Sequence, residues 1–126
     1  MKRADIAAMD AGQRKQLLED VASLVDQREW RFGEAVRFLR ATVLRKNRHD
    51  FARLVGISLA ALQKLEDNAE ANPTLETMNR LLRPFGGCVG LVFPRMNPPP
   101  PPTEGLERRR AELKAALAGT RRRPRS

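Results

Sequence analysis

Tyrosine is absent from this chain, and histidine, cysteine and tryptophan occur once each. The lone Cys88 excludes an internal disulfide and suits a reducing compartment. The lone His49 shares no nucleophile-and-base arrangement with Cys88, and no set of ligands has metal-binding spacing. A glycine-rich phosphate loop is missing as well. The expectation is therefore a protein that is not an enzyme, with no catalytic residues, no metal and no cofactor. No apolar run approaches the roughly 18 residues of a bilayer span, and no signal-peptide core is present. A cytoplasmic protein with no membrane partner is expected. Five Phe and one Trp supply little aromatic mass, although 41% of the 126 residues are hydrophobic. A domain this small stabilises itself only marginally, so self-association is expected.

Charge is what the chain has in surplus. Its 24 Lys and Arg outnumber 15 Asp and Glu, for a net charge of +9. Residues 1–30 carry 5 basic and 6 acidic side chains, residues 31–93 carry 10 and 6, and residues 94–126 carry 9 and 3. The surplus lies in the middle and at the C-terminus. It favours an anionic partner, nucleic acid before an acidic membrane surface; a basic surface that only aids solubility is the bland alternative.

Patterning divides the chain into an N-terminal helical extension (1–29), a central helical domain (30–93), and a spacer with a basic tail expected to be flexible (94–126). Asp10 can cap a helix to about Gln27, with Leu17, Leu18, Val21, Leu24 and Val25 on one face. After Trp30 and Phe32, a second helix from about Gly33 to Leu44 turns Val36, Leu39 and Val43 inward. Asn47 caps a third, about Arg48 to Val55, burying Phe51, Ala52 and Leu54 or Val55. Gly56 can take the positive φ of a tight turn. Ser58 caps a fourth helix to about Glu66, and Thr74 a fifth, "LETMNRLLRPF", ended by Pro84 and Gly86-Gly87. "CVGLVF", with Cys88, Val89, Leu91, Val92 and Phe93, reads as the one strand. Its unpaired edges are met by pairing with the same strand of a second copy; the alternative is an extended tail over the core. Pro98–Pro102 form a stiff spacer. A helix over about 104–118 has in Leu106, Leu113 and Leu117 a stripe too thin to dock firmly.

The third and fourth helices carry the specific spacing. Ala52 permits a close helix crossing, Gly56 four residues later makes the turn, and Leu62 and Leu65 anchor the second helix. Through "FGEAVRFLR", "FARLVGIS", "LQKLED" and "NPTLETMNRLL", over about Phe32 to Phe93, the chain resembles the Xre/Cro helix-turn-helix regulators. The resemblance implies an all-α fold, a five-helix lambda-repressor-like domain with one C-terminal β-strand paired across a dimer. With "CVGLVF" after the last helix it looks most like HipB-type antitoxins, which implies a homodimer that represses its own operon and binds a HipA-like kinase toxin. The resemblance further implies an ion pair between Arg40 and Glu66, fixing the angle of the reading helix; solvated surface is the alternative for both. Where the family has a glutamine opening the helix before the turn, this chain has Arg48. Between Arg40 and Asn47 it is one residue longer than the family pattern and lacks the usual glycine.

On the fourth helix, at about 100° per residue, Leu59 and Leu65 fall about 60° to either side of the buried Leu62. Leu59 is expected to be partly buried. Ala60 and Lys64, flanked by Ala61 and Gln63, point outward. The two alanines allow deep entry into a major groove and contact with thymine methyls, Gln63 suits adenine, and Lys64 suits guanine or a phosphate. These four residues are the expected base contacts of a double-stranded DNA reader with a palindromic operator. Arg45, Lys46, Arg48, Arg53 and Ser58 are the expected phosphate contacts, although capping alone accounts for Ser58, and His49 is a surface residue or a further phosphate contact. The tail, with "ERRR" and "TRRRPRS", either contacts DNA or a toxin, or is simply solvated. The rival reading of the whole is a protein-interaction module on the same scaffold, since the Ala60-Ala61 face also suits a partner helix.

Overall fold

Side-chain caps set most of the helix starts. In the computed structural model, which describes residues 8–91, 93 and 104–120, Asp10 opens α1 (Ala11–Asp26) with a reciprocal box. The Gln13 N–H donates to Asp10 Oδ1 at 2.8 Å, and the Asp10 N–H to Gln13 Oε1 at 3.0 Å. Asn47 caps α3 (Arg48–Val55) by accepting from the Asp50 N–H, Ser58 caps α4 (Leu59–Asp67) by accepting from the Ala61 N–H, and Thr74 caps α5 (Leu75–Leu82) by accepting from the Thr77 N–H. Each satisfies a backbone donor that the first helical turn leaves unpaired. Two further α-helices are α2 (Phe32–Phe38), which runs into a π turn at Leu39–Val43, and α6 (Leu106–Ala118), while α5 passes into a 3-10 turn at Arg83–Phe85. The all-α expectation holds for the described residues.

Helix α2 lies between two apolar clusters. Its Ala35 and Phe38, with Leu39 of the π turn, pack with Leu17, Val21 and Leu24 of α1, with Trp30, and with Leu113 and Leu117 of α6. Its Val36 packs with Phe51, Ala52 and Val55 of α3, Leu62 and Leu65 of α4, and Leu81 of α5. A helix covered on all sides has no polar face to spare, which is why Arg37 and Arg40 are also buried. The inward faces expected for α1 and the second helix are observed, except that Leu18, Val25 and Val43 are only half-buried. Of the α3 pair left open, Val55 is inside and Leu54 is 54% exposed.

The π turn takes up one residue more than an α turn, and it is followed by Arg45 in the left-handed region at φ 56°, a conformation usually left to glycine. Gly33 meets a different demand. A Cβ on it would lie 2.0 Å from the carbonyl oxygen of Leu65, so α2 and the end of α4 touch backbone to backbone.

The C-terminal segment departs from expectation. Instead of remaining a flexible tail, Leu106–Ala118 docks on α1 and α2, with Leu113 fully buried and Leu117 5% exposed. The apolar stripe is as thin as its sequence indicates, and charge makes up the difference. Arg109 Nε donates to Asp20 Oδ2 at 2.7 Å, Lys114 Nζ to Glu29 Oε1 at 2.8 Å, Arg110 pairs with Glu29, and Arg37 Nε donates to Thr120 Oγ1 at 3.0 Å. Asp20 of α1 and Glu29 just after it thus pair with Arg109 and Arg110 of "ERRR", whereas the Arg108 side chain is 82% exposed. The spacer Pro98–Pro102 and the arginines of "TRRRPRS" lie outside the described residues.

Among the described residues, no strand forms over the segment expected to be one. Cys88, Val89, Leu91 and Phe93 have no ladder partner among the described residues, and Val92 lies outside them. A strand exists only against a neighbouring strand, and a single copy supplies none. Val89 donates its N–H to Asn79 Oδ1 at 2.8 Å, while Leu91 and Phe93 are 84% and 56% exposed.

Candidate nucleic-acid interface

The site is built around a turn. Ala52 is 2% exposed at the α3–α4 crossing, and Gly56 follows at φ 76°, closing α3 through its N–H to the Ala52 carbonyl at 2.9 Å. Two residues later Ser58 starts α4. Leu62 and Leu65 then pin α4 to the second core cluster. The spacing Ala52–Gly56–Leu62–Leu65 brings these four groups together as expected.

Arg80 completes the turn and was not anticipated. Its Nη1 donates to the Gly56 carbonyl at 3.0 Å and its Nη2 to Glu76 Oε1 at 2.9 Å, tying α5 to the end of α3. Only the Glu76–Arg80 spacing of four is visible in sequence; the contact with Gly56 is tertiary.

With the inner face fixed, the outer face of α4 is determined. Ala60, Ala61 and Lys64 are exposed and Gln63 is half-buried. Leu59 is 36% exposed, so it straddles the edge between core and surface. The face is small in its first turn and polar in its second.

The angle of α4 is held by charge. Glu66, with no exposed surface, accepts from Arg40 through Nε and Nη2, both at 2.8 Å. The expected pair is present as a bidentate fork, the strongest geometry for such contacts. Arg40 also donates through Nη1 to the Lys46 carbonyl at 2.8 Å, so the same side chain anchors the loop carrying Arg45 and Lys46. On the loop both of those cations are exposed, as is Arg53 on α3.

Arg48 is where the structure differs from the expected phosphate contact. Its Nε donates to Glu66 Oε1 at 3.2 Å, and its Nη1 and Nη2 to Asp67 at 3.0 and 2.5 Å. Its side chain is 11% exposed. Burial works against the charge, but the hydrogen bonds and charges of Asp67 and Glu66 outweigh it and hold Arg48 above the ordinary arginine value. Arg48 is an internal cross-link in the free protein. The sequence carried no signal of this, since Asp67 alone reads as a solvated helix end.

His49 is exposed, with Nδ1 3.7 Å from Asp50. Among the described residues no group of three or more His, Cys, Asp or Glu could hold a metal ion, and no helix is long and apolar enough to cross a membrane. No family model, no curated protein and no solved structure matches the chain.

Proposed function

We propose that this chain is a sequence-specific double-stranded DNA-binding regulator of transcription, a repressor that works as a two-fold dimer. The reading takes α3, the Gly56 turn and α4 as a helix-turn-helix of the lambda-repressor type. The observation that carries it is α4 itself: pinned from within by Leu62, Leu65 and Glu66, it presents Ala60, Ala61, Gln63 and Lys64 outward beside a loop of exposed cations. A helix with two alanines in its first outward turn can enter a major groove deeply, leaving Gln63 and Lys64 to hydrogen-bond base edges. Arg45, Lys46, Arg53 and Ser58 supply phosphate contacts, which add affinity without sequence preference. Arg48 drops out of that set.

In the finer form of the proposal, residues 88–93 pair with the same segment of a second copy, which sets the spacing of two half-sites and covers Leu91 and Phe93. The regulator is then the autoregulating, HipB-like antitoxin of a kinase toxin, acting on the nucleoid in the cytoplasm. The test replaces Gln63 and Lys64 together with alanine and measures binding to the protein's own promoter DNA. Loss of site preference, at about 1–3 kcal/mol per base contact, with retention of non-specific binding is the expected result. An unchanged preference removes α4 as the reading element.

One observation favours a second reading, a protein-interaction module. Leu59, at 36% exposure, continues the Ala60-Ala61 face as an apolar edge on which a partner helix could pack. In that case no preferred DNA sequence exists for the two substitutions to remove.

A further inference from the structure

Two charges in the site sit at the wrong ends of their helices. Arg48 is the first residue of α3 and Asp67 the last of α4, where the helix dipoles disfavour a cation and an anion respectively. Local preference accounts for neither. Each instead finds the other, at 2.5 and 3.0 Å, in a two-pronged contact joining the start of α3 to the end of α4. The same guanidinium reaches the fully buried Glu66, already forked by Arg40. Two arginines and two carboxylates thus link the π turn after α2, α3 and α4 at the end of α4 remote from Ser58.

We propose that Arg48 and Asp67 are positioning residues that set the angle at which α4 is presented, and that Arg48 is not a ligand of the DNA backbone. The inference rests on the DNA-binding reading for its consequence but on internal geometry for its cause. Leu62 and Leu65 hold α4 against the core by apolar contacts, which on their own leave its tilt free. A planar fork, which is directional where an apolar contact is not, removes that freedom at the C-terminal end. With Glu66, Asp67 engages all three guanidinium nitrogens of Arg48 and competes with phosphate for them.

The two roles differ in sign. If Arg48 served as a phosphate ligand, Arg48→Met would weaken binding and lower the slope of log affinity against log salt by about 0.9, while Asp67→Asn would release Arg48 and tighten binding. As positioning residues, both substitutions lower the preference for the selected site over random DNA, and neither changes the salt slope. Asp67→Asn removes an exposed partner and leaves Glu66 paired, so it serves as the folded control should Arg48→Met not fold. Hydrogen exchange without DNA supplies the independent arm: both variants are expected to speed exchange in the last turn of α4 and leave α1 unchanged. Opposite effects on affinity, a salt slope reduced by about one contact, or unaltered exchange in α4 each overturn the proposal. If the wild-type protein prefers no DNA sequence, the functional reading fails while the exchange result still decides the lock.

Discussion

Glu66 shows how much one residue can hold in this protein. Its carboxylate has no exposed surface and receives Arg40 twice and Arg48 once. A buried charge network need not stabilise more than an apolar core of equal volume, but breaking it from one side leaves uncompensated charge. Glu66→Ala leaves two guanidiniums facing an empty site, and the expected cost is about 3–5 kcal/mol, read as a lowered urea midpoint. Gly33 makes a steric counterpart. Because an added Cβ meets the Leu65 carbonyl at 2.0 Å, Gly33→Ala must push α2 and α4 apart, at about 1–3 kcal/mol. A substitution without effect would show that the two backbones do not touch. Legibility in the sequence was uneven at this scale. Arg40 and Glu66 were expected as a pair only through family resemblance, since 26 residues separate them. Arg48 is expected as a phosphate contact because it stands at a helix start where the resembled family has a glutamine. In the structure it pairs with two carboxylates of α4, which nothing in the linear pattern connects to it.

At the scale of elements, caps and apolar periodicity were sufficient for α1 to α5, because both are local. Asp10, Asn47, Ser58 and Thr74 each cap the helix that the sequence assigned to them. The same reasoning places α6 as a helix but does not foresee that it docks. Two buried leucines are a weak stripe, and the helix is held as much by Arg109, Arg110 and Lys114 on Asp20 and Glu29, contacts that span most of the chain. The guanidinium of Arg109 is held above its ordinary value by its hydrogen bond to Asp20, with the Asp20 charge adding to it against burial. Leu113→Ala is expected to cost about 2–5 kcal/mol, since the side chain is fully buried between α1 and α2. Thermal unfolding checks it: a transition unchanged from wild type would mean that α6 does not belong to the cooperative core.

For the whole molecule, the docking of α6 redraws the charge map. The N-terminal helix and α6 neutralise much of each other's charge, which leaves residues 31–93, with 10 basic and 6 acidic side chains, as the basic part of the described structure. Among the described residues the excess of positive charge thus lies in the part that carries α3 and α4, and on the proposed reading affinity for DNA is expected to fall steeply between low and moderate salt. Exposed Leu91 and Phe93 bear on the same scale. If they are covered by a second copy, sedimentation should give a dimer, and Phe93→Asp should give a monomer with weaker binding to two-half-site DNA. The measurement that tests the central claim most directly is selection of bound sequences from random double-stranded DNA by the full chain. The account predicts a two-fold symmetric site whose half-site centres lie about one helical turn, or a multiple of it, apart. Recovery of no common sequence would contradict it.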